Sequence, residues 1–311
     1  MTVFLFLLCA IAAILLMGGY YTYRIAFYSP KKGRDKISTF ASHKYDPYRK
    51  EINRLFCQLS GRPYEEVSIV SFDGLTLFGR YYHVKDGAPL DIGFHGYRSS
   101  ALTDFAGGSE LSFSMGHNLL LIDERAHGRS EGRTITFGIQ ERWDVESWAR
   151  FAVERFGADV QIILYGVSMG AATVLMAAGL DLPENVKGII ADCGFTSPWD
   201  IIKHVAKDRF HLPPFPLMYM VNLVSEIIAG FGLKEVSIPE IMKRNKIPVL
   251  FIHGDADDYV PMWMTIKNYE ACAAPKELYI VPGAGHALAF SKDMEEGKRR
   301  IKNFINKYKT I

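Results

Sequence analysis

The stretch "ILYGVSMGAAT", residues 163–173, decides the fold. An apolar run, Ile162-Ile163-Leu164-Tyr165, leads in and reads as a buried strand. A run rich in small residues, Gly170-Ala171-Ala172-Thr173-Val174-Leu175-Met176, leads out and reads as a helix. Ser168 lies between Gly166 and Gly170. In a G-x-S-x-G turn the glycines leave no side chain in the way, so the chain can reverse tightly and lift the serine above the sheet. The helix that follows turns its free backbone N–H groups toward any negative charge forming there. The motif is short and recurs by chance. Whether Ser168 is a turn residue or a nucleophile depends on what the rest of the chain supplies. A serine hydroxyl needs a base, a carboxylate to orient that base, and donors for the oxyanion.

The architecture that carries such a turn places its residues in the order serine, acid, histidine. After Ser168, "FIHGDADDYVP" follows a strand-like run and carries Asp255, Asp257 and Asp258. "YIVPGAGHALAF" follows the next run and carries His286. Two independent loops after strands thus supply the missing residue types, and this says more than either motif alone. The other histidines fit less well. His204 and His211 fall in an insertion, His117 and His127 flank an earlier strand, His253 reads as structural, and His43 and His83 have no partners in view. For the oxyanion, one donor is expected from the backbone N–H of Met169. The other is expected from Tyr97 in "IGFHGYRSS", where Gly96 permits an unusual backbone path.

Around these loops the chain alternates strand-like and helical segments. "VSIVSF", Asp73-Gly74 and "LTLFGRYYHV" form a predicted hairpin. Further apolar runs, "LDIGFHG", "NLLLIDERAHG", "VKGIIADCGF", "IPVLFIHGD" and "ELYIVPG", each end in a loop. Helical segments separate most of them, including "RWDVESWARFAVERFG", "MWMTIKNYEACA" and "EEGKRRIKNFINKY". This pattern predicts an α/β fold with a mainly parallel sheet covered by helices on both faces. About residues 197–242 an aromatic- and Met-rich stretch is too long for an ordinary crossover, and predicts a helical lid over the carboxyl ends of the strands.

Composition narrows the function classes. The 311 residues are 49% hydrophobic and carry a formal net charge of +2, so no basic field large enough to hold nucleic acid is implied. Cys9, Cys57, Cys193 and Cys272 are scattered without a C-x-x-C pair, which speaks against a metal or disulfide framework. Residues 1–23 hold no charged side chain, and "FLFLLCAIAAILLMGG" is long enough to be expected to span a bilayer as an uncleaved anchor. No basic residue precedes the run, unlike a secretory signal. Arg24, Lys31, Lys32, Arg34 and Lys36 follow it and predict a cytoplasmic body. Residues 24–65 read as a tether and a leading helix, and 66–311 as the catalytic domain.

The motifs "FHGY", "LLIDERAHGRSEG", "YGVSMGAAT", "IHGDADDYVP" and "GAGHALAF" resemble the α/β-hydrolase family over roughly residues 67–308. They are similar in particular to its membrane-associated Bem46-like branch and to bacterial esterases. Ala126 stands where the family's loop usually has Gly. The resemblance implies Asp257 as the acid, at the fifth position of H-G-x-x-D-x-x-V-P, with Asp255 and Asp258 as alternatives. It also implies the α/β-hydrolase fold, Asp123 and Arg125 as structural residues, and a serine hydrolase acting on carboxylic esters, with no metal or organic cofactor. Thioesterase, lipase or peptidase activity, or a noncatalytic binding role on the same fold, are the alternatives. Substrate identity and oligomeric state are not legible.

Overall fold

The computed structural model describes residues 2–30 and 43–308. The strands are β1 (Glu65–Val70), β2 (Thr76–Tyr82), β3 (Leu90–Phe94), β4 (Asn118–Asp123), β5 (Ile162–Val167), β6 (Val186–Asp192), β7 (Val249–Gly254) and β8 (Lys276–Val281). They make one 8-stranded sheet in the order β1-β2-β4-β3-β5-β6-β7-β8. β1 and β2 pair antiparallel across the expected turn, where Gly74 has φ 85, and β2 pairs antiparallel with β4. Every pairing from β4 to β8 is parallel. The loops after β3, β5, β6, β7 and β8 therefore emerge on one rim.

The helices are α1 (Thr2–Ala26), α2 (Arg49–Ser60), α3 (Ala101–Asp104), α4 (Ala106–Ser114), α5 (Glu141–Phe156), α6 (Met169–Ala177), α7 (Pro198–Asp208), α8 (Pro214–Ala229), α9 (Ile238–Met242), α10 (Met262–Ala271), α11 (Ala289–Lys292) and α12 (Met294–Tyr308). Two apolar clusters, one on each face of the sheet, bury β3, β4, β5 and β7 completely. α6 fits beneath one face because it begins with small residues. All of its side chains are buried. Gly157, at φ 97, stops α5 where the sequence predicts. The insertion expected at 197–242 is helical and forms α7, α8 and α9.

The N-terminal expectations require correction. The segment is a helix, but its last turns are docked on the protein. Gly19 lies against Met220 of α8, and Tyr23 and Phe27 are buried in the core. The freer part, Val3–Met17, is about 22 Å long at about 1.5 Å per residue, short of the roughly 30 Å hydrocarbon core. Among the described residues, no helix is long and apolar enough to cross a membrane. Nor is residue 24 onward a free tether at first. The Ser29 N–H donates to Arg133 O (2.8 Å), and the Ile135 N–H donates to Phe27 O (2.8 Å). Residues 31–42 of the expected tether lie outside the described residues.

Candidate active site

Ser168 caps the N-terminus of α6 with φ 55 and ψ −111, a strained conformation for an L-residue. The strain holds because both glycines are used for close approach. A Cβ on Gly166 would overlap the Gly170 carbonyl, and one on Gly170 would overlap the carbonyl of Phe94. The turn thus points the serine at the rim, where His286 Nε2 lies 2.9 Å from its Oγ. His286 Nδ1 lies 2.7 Å from Asp257 Oδ2. A carboxylate only accepts, so Nδ1 carries the proton and Nε2 is left to accept from the serine hydroxyl.

Of the aspartates in that loop, Asp257 alone faces His286. Its side chain is 0% exposed, and its Oδ1 accepts from the N–H groups of Tyr259 (2.8 Å) and Val260 (2.9 Å). Asp255 is exposed and accepts from the Gly283 N–H, while Asp258 is exposed and pairs with Arg209 at 3.3 Å. Burial by itself would raise the Asp257 carboxyl. The charge of His286 and hydrogen bonds from His253 and His286 outweigh burial and hold Asp257 below the usual carboxylate range.

His253 is more than the strand-end residue expected from the sequence. It is fully buried, and its Nε2 faces two acceptors, Val260 O at 2.9 Å and Asp257 Oδ2 at 3.3 Å. That nitrogen therefore donates toward the acid, at the same Oδ2 that His286 Nδ1 reaches. The only sequence signal was its spacing of four before Asp257, which a strand end does not ordinarily give meaning.

The loop after β3 lies against the serine: a Cβ on Gly96 would sit 3.4 Å from Ser168 Cβ. Among the described residues, neither the Tyr97 nor the Met169 N–H donates to a backbone carbonyl outside regular elements. Met169 opens α6, where an N–H has no intrahelical acceptor. The loop is held from several sides. The Gly96 N–H donates to Asp104 (2.7 Å), and the Arg98 N–H donates to His127 Nε2 (3.0 Å). His127 and Asp104 were missed because each acts on a backbone N–H of this loop, which leaves no mark in the sequence.

The end of α1 is also clamped to this loop. The Tyr97 hydroxyl donates to Ala26 O (2.8 Å), and Arg98 Nη2 donates to Ile25 O (2.5 Å) and Tyr28 O (3.2 Å). These carbonyls close a helix C-terminus, where acceptors lack helical partners. The Tyr97 side chain thus has a contact of its own, separate from its backbone N–H. Tyr97→Phe keeps the backbone donor but removes about 1 kcal/mol of hydrogen bonding. It is expected to lower kcat on a soluble ester about fivefold with KM little changed; unaltered kcat would show that the clamp does not position the loop.

Below the serine, β6 ends at Asp192, whose carbonyl accepts the Ser168 N–H at 2.8 Å. Asp192 lines a cavity of about 50 Å³ with Tyr45, Tyr165, Ala287 and Phe290, and its Oδ1 meets no donor among the described residues. Burial pushes this carboxyl up to about 6. A carboxyl raised above its unfolded value of about 4 favours the fold while protonated. That contribution is full below about pH 4 and lost as pH rises through about 6. Asp192→Asn is therefore expected to raise stability by about 2 kcal/mol near pH 8 and hardly at all near pH 4. Urea melts at the two pH values check this, and an equal gain at both would refute it.

Among the described residues, the His, Cys, Asp and Glu side chains with ligand spacing are Cys193, Asp257 and His286, their donor atoms within 4.8 Å of one another. Asp257 and His286 already bond each other, and burial pushes the Cys193 thiol well up, away from the thiolate a metal needs. The cluster fits a charge-orienting array better than a metal centre.

Near the mouth, the Tyr259 ring lies 5.1 Å from that of His286, and Arg209, just past α7, lies over Tyr259 at 4.8 Å. The Tyr45 hydroxyl donates to His286 O at 3.1 Å. The buried Arg125 pairs through Nε with Asp144 (2.6 Å) and through Nη1 with Asp73 (2.9 Å), tying the first hairpin to α5 away from the serine. Ala126, where the family usually has Gly, has φ 62.

The parallel sheet with a serine raised on its strand-to-helix turn defines an α/β-hydrolase of the serine hydrolase type. The chain belongs to the prolyl oligopeptidase family, whose pattern matches residues 137–310. It is 26% identical over 304 residues to the uncharacterized protein YqkD of Bacillus subtilis, a match covering 95% of this chain and 94% of that protein. It is also 26% identical over 171 residues to the protein bem46 of Schizosaccharomyces pombe, covering 54% of this chain and 52% of that one. The esterase Pf2001 of Pyrococcus furiosus superposes with a TM-score of 0.68 at 22% identity, over 91% of this chain and 98% of that one.

Proposed function

We propose that the protein is a serine hydrolase that cleaves carboxylic esters through an acyl-serine intermediate. The observation that carries this reading is the line of contacts from Ser168 Oγ to His286 (2.9 Å) and on to buried Asp257 (2.7 Å). Ser168 attacks the carbonyl as His286 takes its proton. The Tyr97 and Met169 N–H groups receive the oxyanion. His286 returns the proton to the leaving alkoxide, and water then repeats the sequence on the acyl group. Asp257 holds the imidazole in the tautomer these steps need.

A fluorophosphonate probe tests the reading. The wild type should label and Ser168→Ala should not; no labelling of the wild type, or equal labelling of both, would favour a noncatalytic binding protein. Membership of the prolyl oligopeptidase family supports a second reading, a peptidase. A peptide anilide cleaved faster than a phenyl ester of matched acyl group would favour it.

In the same reading α7 and α8 act as a lid, and α1 holds the enzyme at a membrane. Val3, Phe4, Leu5, Phe6 and Leu7 are all more than half exposed, which supports lipid contact. The basic flank from Arg24 to Lys36 favours the cytoplasmic face. Accessibility of the body to protease added outside intact spheroplasts would overturn that orientation.

A further inference from the structure

α8 turns a row of apolar side chains outward. Phe215, Tyr219, Leu223 and Ile227 recur every fourth residue and are 75%, 50%, 38% and 71% exposed. That spacing sets Tyr219, Leu223 and Ile227 one above another on a single helix face, and Phe215, whose backbone is extended at the start of α8, joins them with its ring 5.9 Å from that of Tyr219. The opposite face already packs, through Met218, Val221, Val224 and Ser225. The outward row therefore contributes little to folding this chain. Phe210 and Leu212, at 65% and 42% exposed, continue the apolar surface past the corner between α7 and α8. A run of this extent exceeds the scattered apolar residues of an ordinary surface.

What lies beside the row indicates its occupant. α1 packs on α8, with Gly19 against Met220, and itself exposes Ile14, Leu16, Met17, Tyr20 and Tyr21. The two helices together expose one apolar surface, with tyrosines of the kind that favour a water–lipid boundary. Lys203 and Lys207 of α7 are exposed near the same corner. Asp208 there pairs with His204, and Glu226 of α8 accepts from Asn222. A largely apolar surface edged by Lys203 and Lys207, with Glu226 the exposed carboxylate of α8, matches an anionic bilayer surface.

The corner also adjoins the mouth of the site, since Arg209 reaches Asp258 and Tyr259, and Tyr259 touches His286. We propose that α8 lies in the interface of an anionic lipid bilayer, beside α1, with Phe215, Tyr219, Leu223 and Ile227 among the lipids. The site then draws its ester from the membrane surface rather than from solution. This rests on the reading of α1 as a membrane attachment and adds a second contact to it.

The test uses the full chain with Cys9 and Cys57 replaced by Ser. An environment-sensitive fluorophore is placed through Ile227→Cys, Met17→Cys or Lys302→Cys, the last on α12. Vesicles of phosphatidylcholine and phosphatidylglycerol are added. Emission at positions 227 and 17 should rise about threefold and shift to the blue, with position 302 unchanged. If position 17 enters lipid and 227 stays in water, this inference fails while the attachment by α1 stands. If neither enters, both fail. A blue shift at 227 without vesicles that grows with protein concentration would mean contact between copies of the chain, and would also overturn it. The double variant Phe215→Asp with Ile227→Asp should lose about tenfold in hydrolysis of a vesicle-borne ester and keep its rate on a soluble one. An equal loss on both substrates would count against the proposal.

Discussion

Asp257→Asn is expected to lower kcat about ten-thousandfold, by analogy with triads in which the acid becomes an amide. The side chain is 0% exposed and its Oδ1 is held by the N–H groups of Tyr259 and Val260, so the amide oxygen would keep that place. The amide NH₂ then faces His286 Nδ1 and donates to it. Nδ1 loses its proton, Nε2 gains one, and the atom facing Ser168 Oγ at 2.9 Å can no longer accept. The failure lies in the tautomer rather than the fold, so thermal melting should shift little and KM should stay near the wild-type value. Asp255→Asn and Asp258→Asn change exposed groups that face Gly283 and Arg209, and are expected to leave kcat within about threefold. Steady-state kinetics on one ester, for the three variants side by side, checks all of this. A collapse with Asp255→Asn and a mild effect with Asp257→Asn would overturn the assignment.

Gly170→Ala is expected to destabilise the protein by about 4 kcal/mol or to prevent folding. A Cβ there would overlap the Phe94 carbonyl oxygen and lie 2.5 Å from its carbon, and both are backbone atoms of β3. α6 would have to move off the sheet, and with it the turn that raises Ser168. Gly18→Ala is the control. Nothing lies within 4 Å of a Cβ at that position in α1, so it should be neutral or slightly stabilising. Denaturant melts of the two variants decide the matter: similar midpoints would mean that close approach of α6 to β3 is not what the glycine provides.

Much of this site was legible because its chemistry is local. The run before Ser168 and the small residues after it specify a strand and a helix, and the G-x-S-x-G turn between them admits few other shapes. Asp257 and His286 could be found because each follows a strand, and parallel strands bring such loops to one rim. His253, His127 and Asp104 were not legible. His127 and Asp104 act on backbone N–H groups, which leave no residue type to recognise, and His253 acts on Asp257 four residues on, a spacing that a strand end does not ordinarily give meaning. The clamp of Tyr97 and Arg98 on the end of α1 was hidden for the same reason, since any carbonyl looks alike in a sequence.

Local patterning alone determined the α/β architecture and the order of serine, acid and base, because strand and helix periodicities and turn glycines act over a few residues. Only the folded chain decided which of three neighbouring aspartates faces the imidazole, since a shift of one position in that loop changes burial from complete to exposed. It also decided the fate of the apolar N-terminus. Hydropathy records that Val3 to Met17 avoid water, whereas the docking of Gly19, Tyr23 and Phe27 depends on surfaces that exist only after α8 and the core have formed.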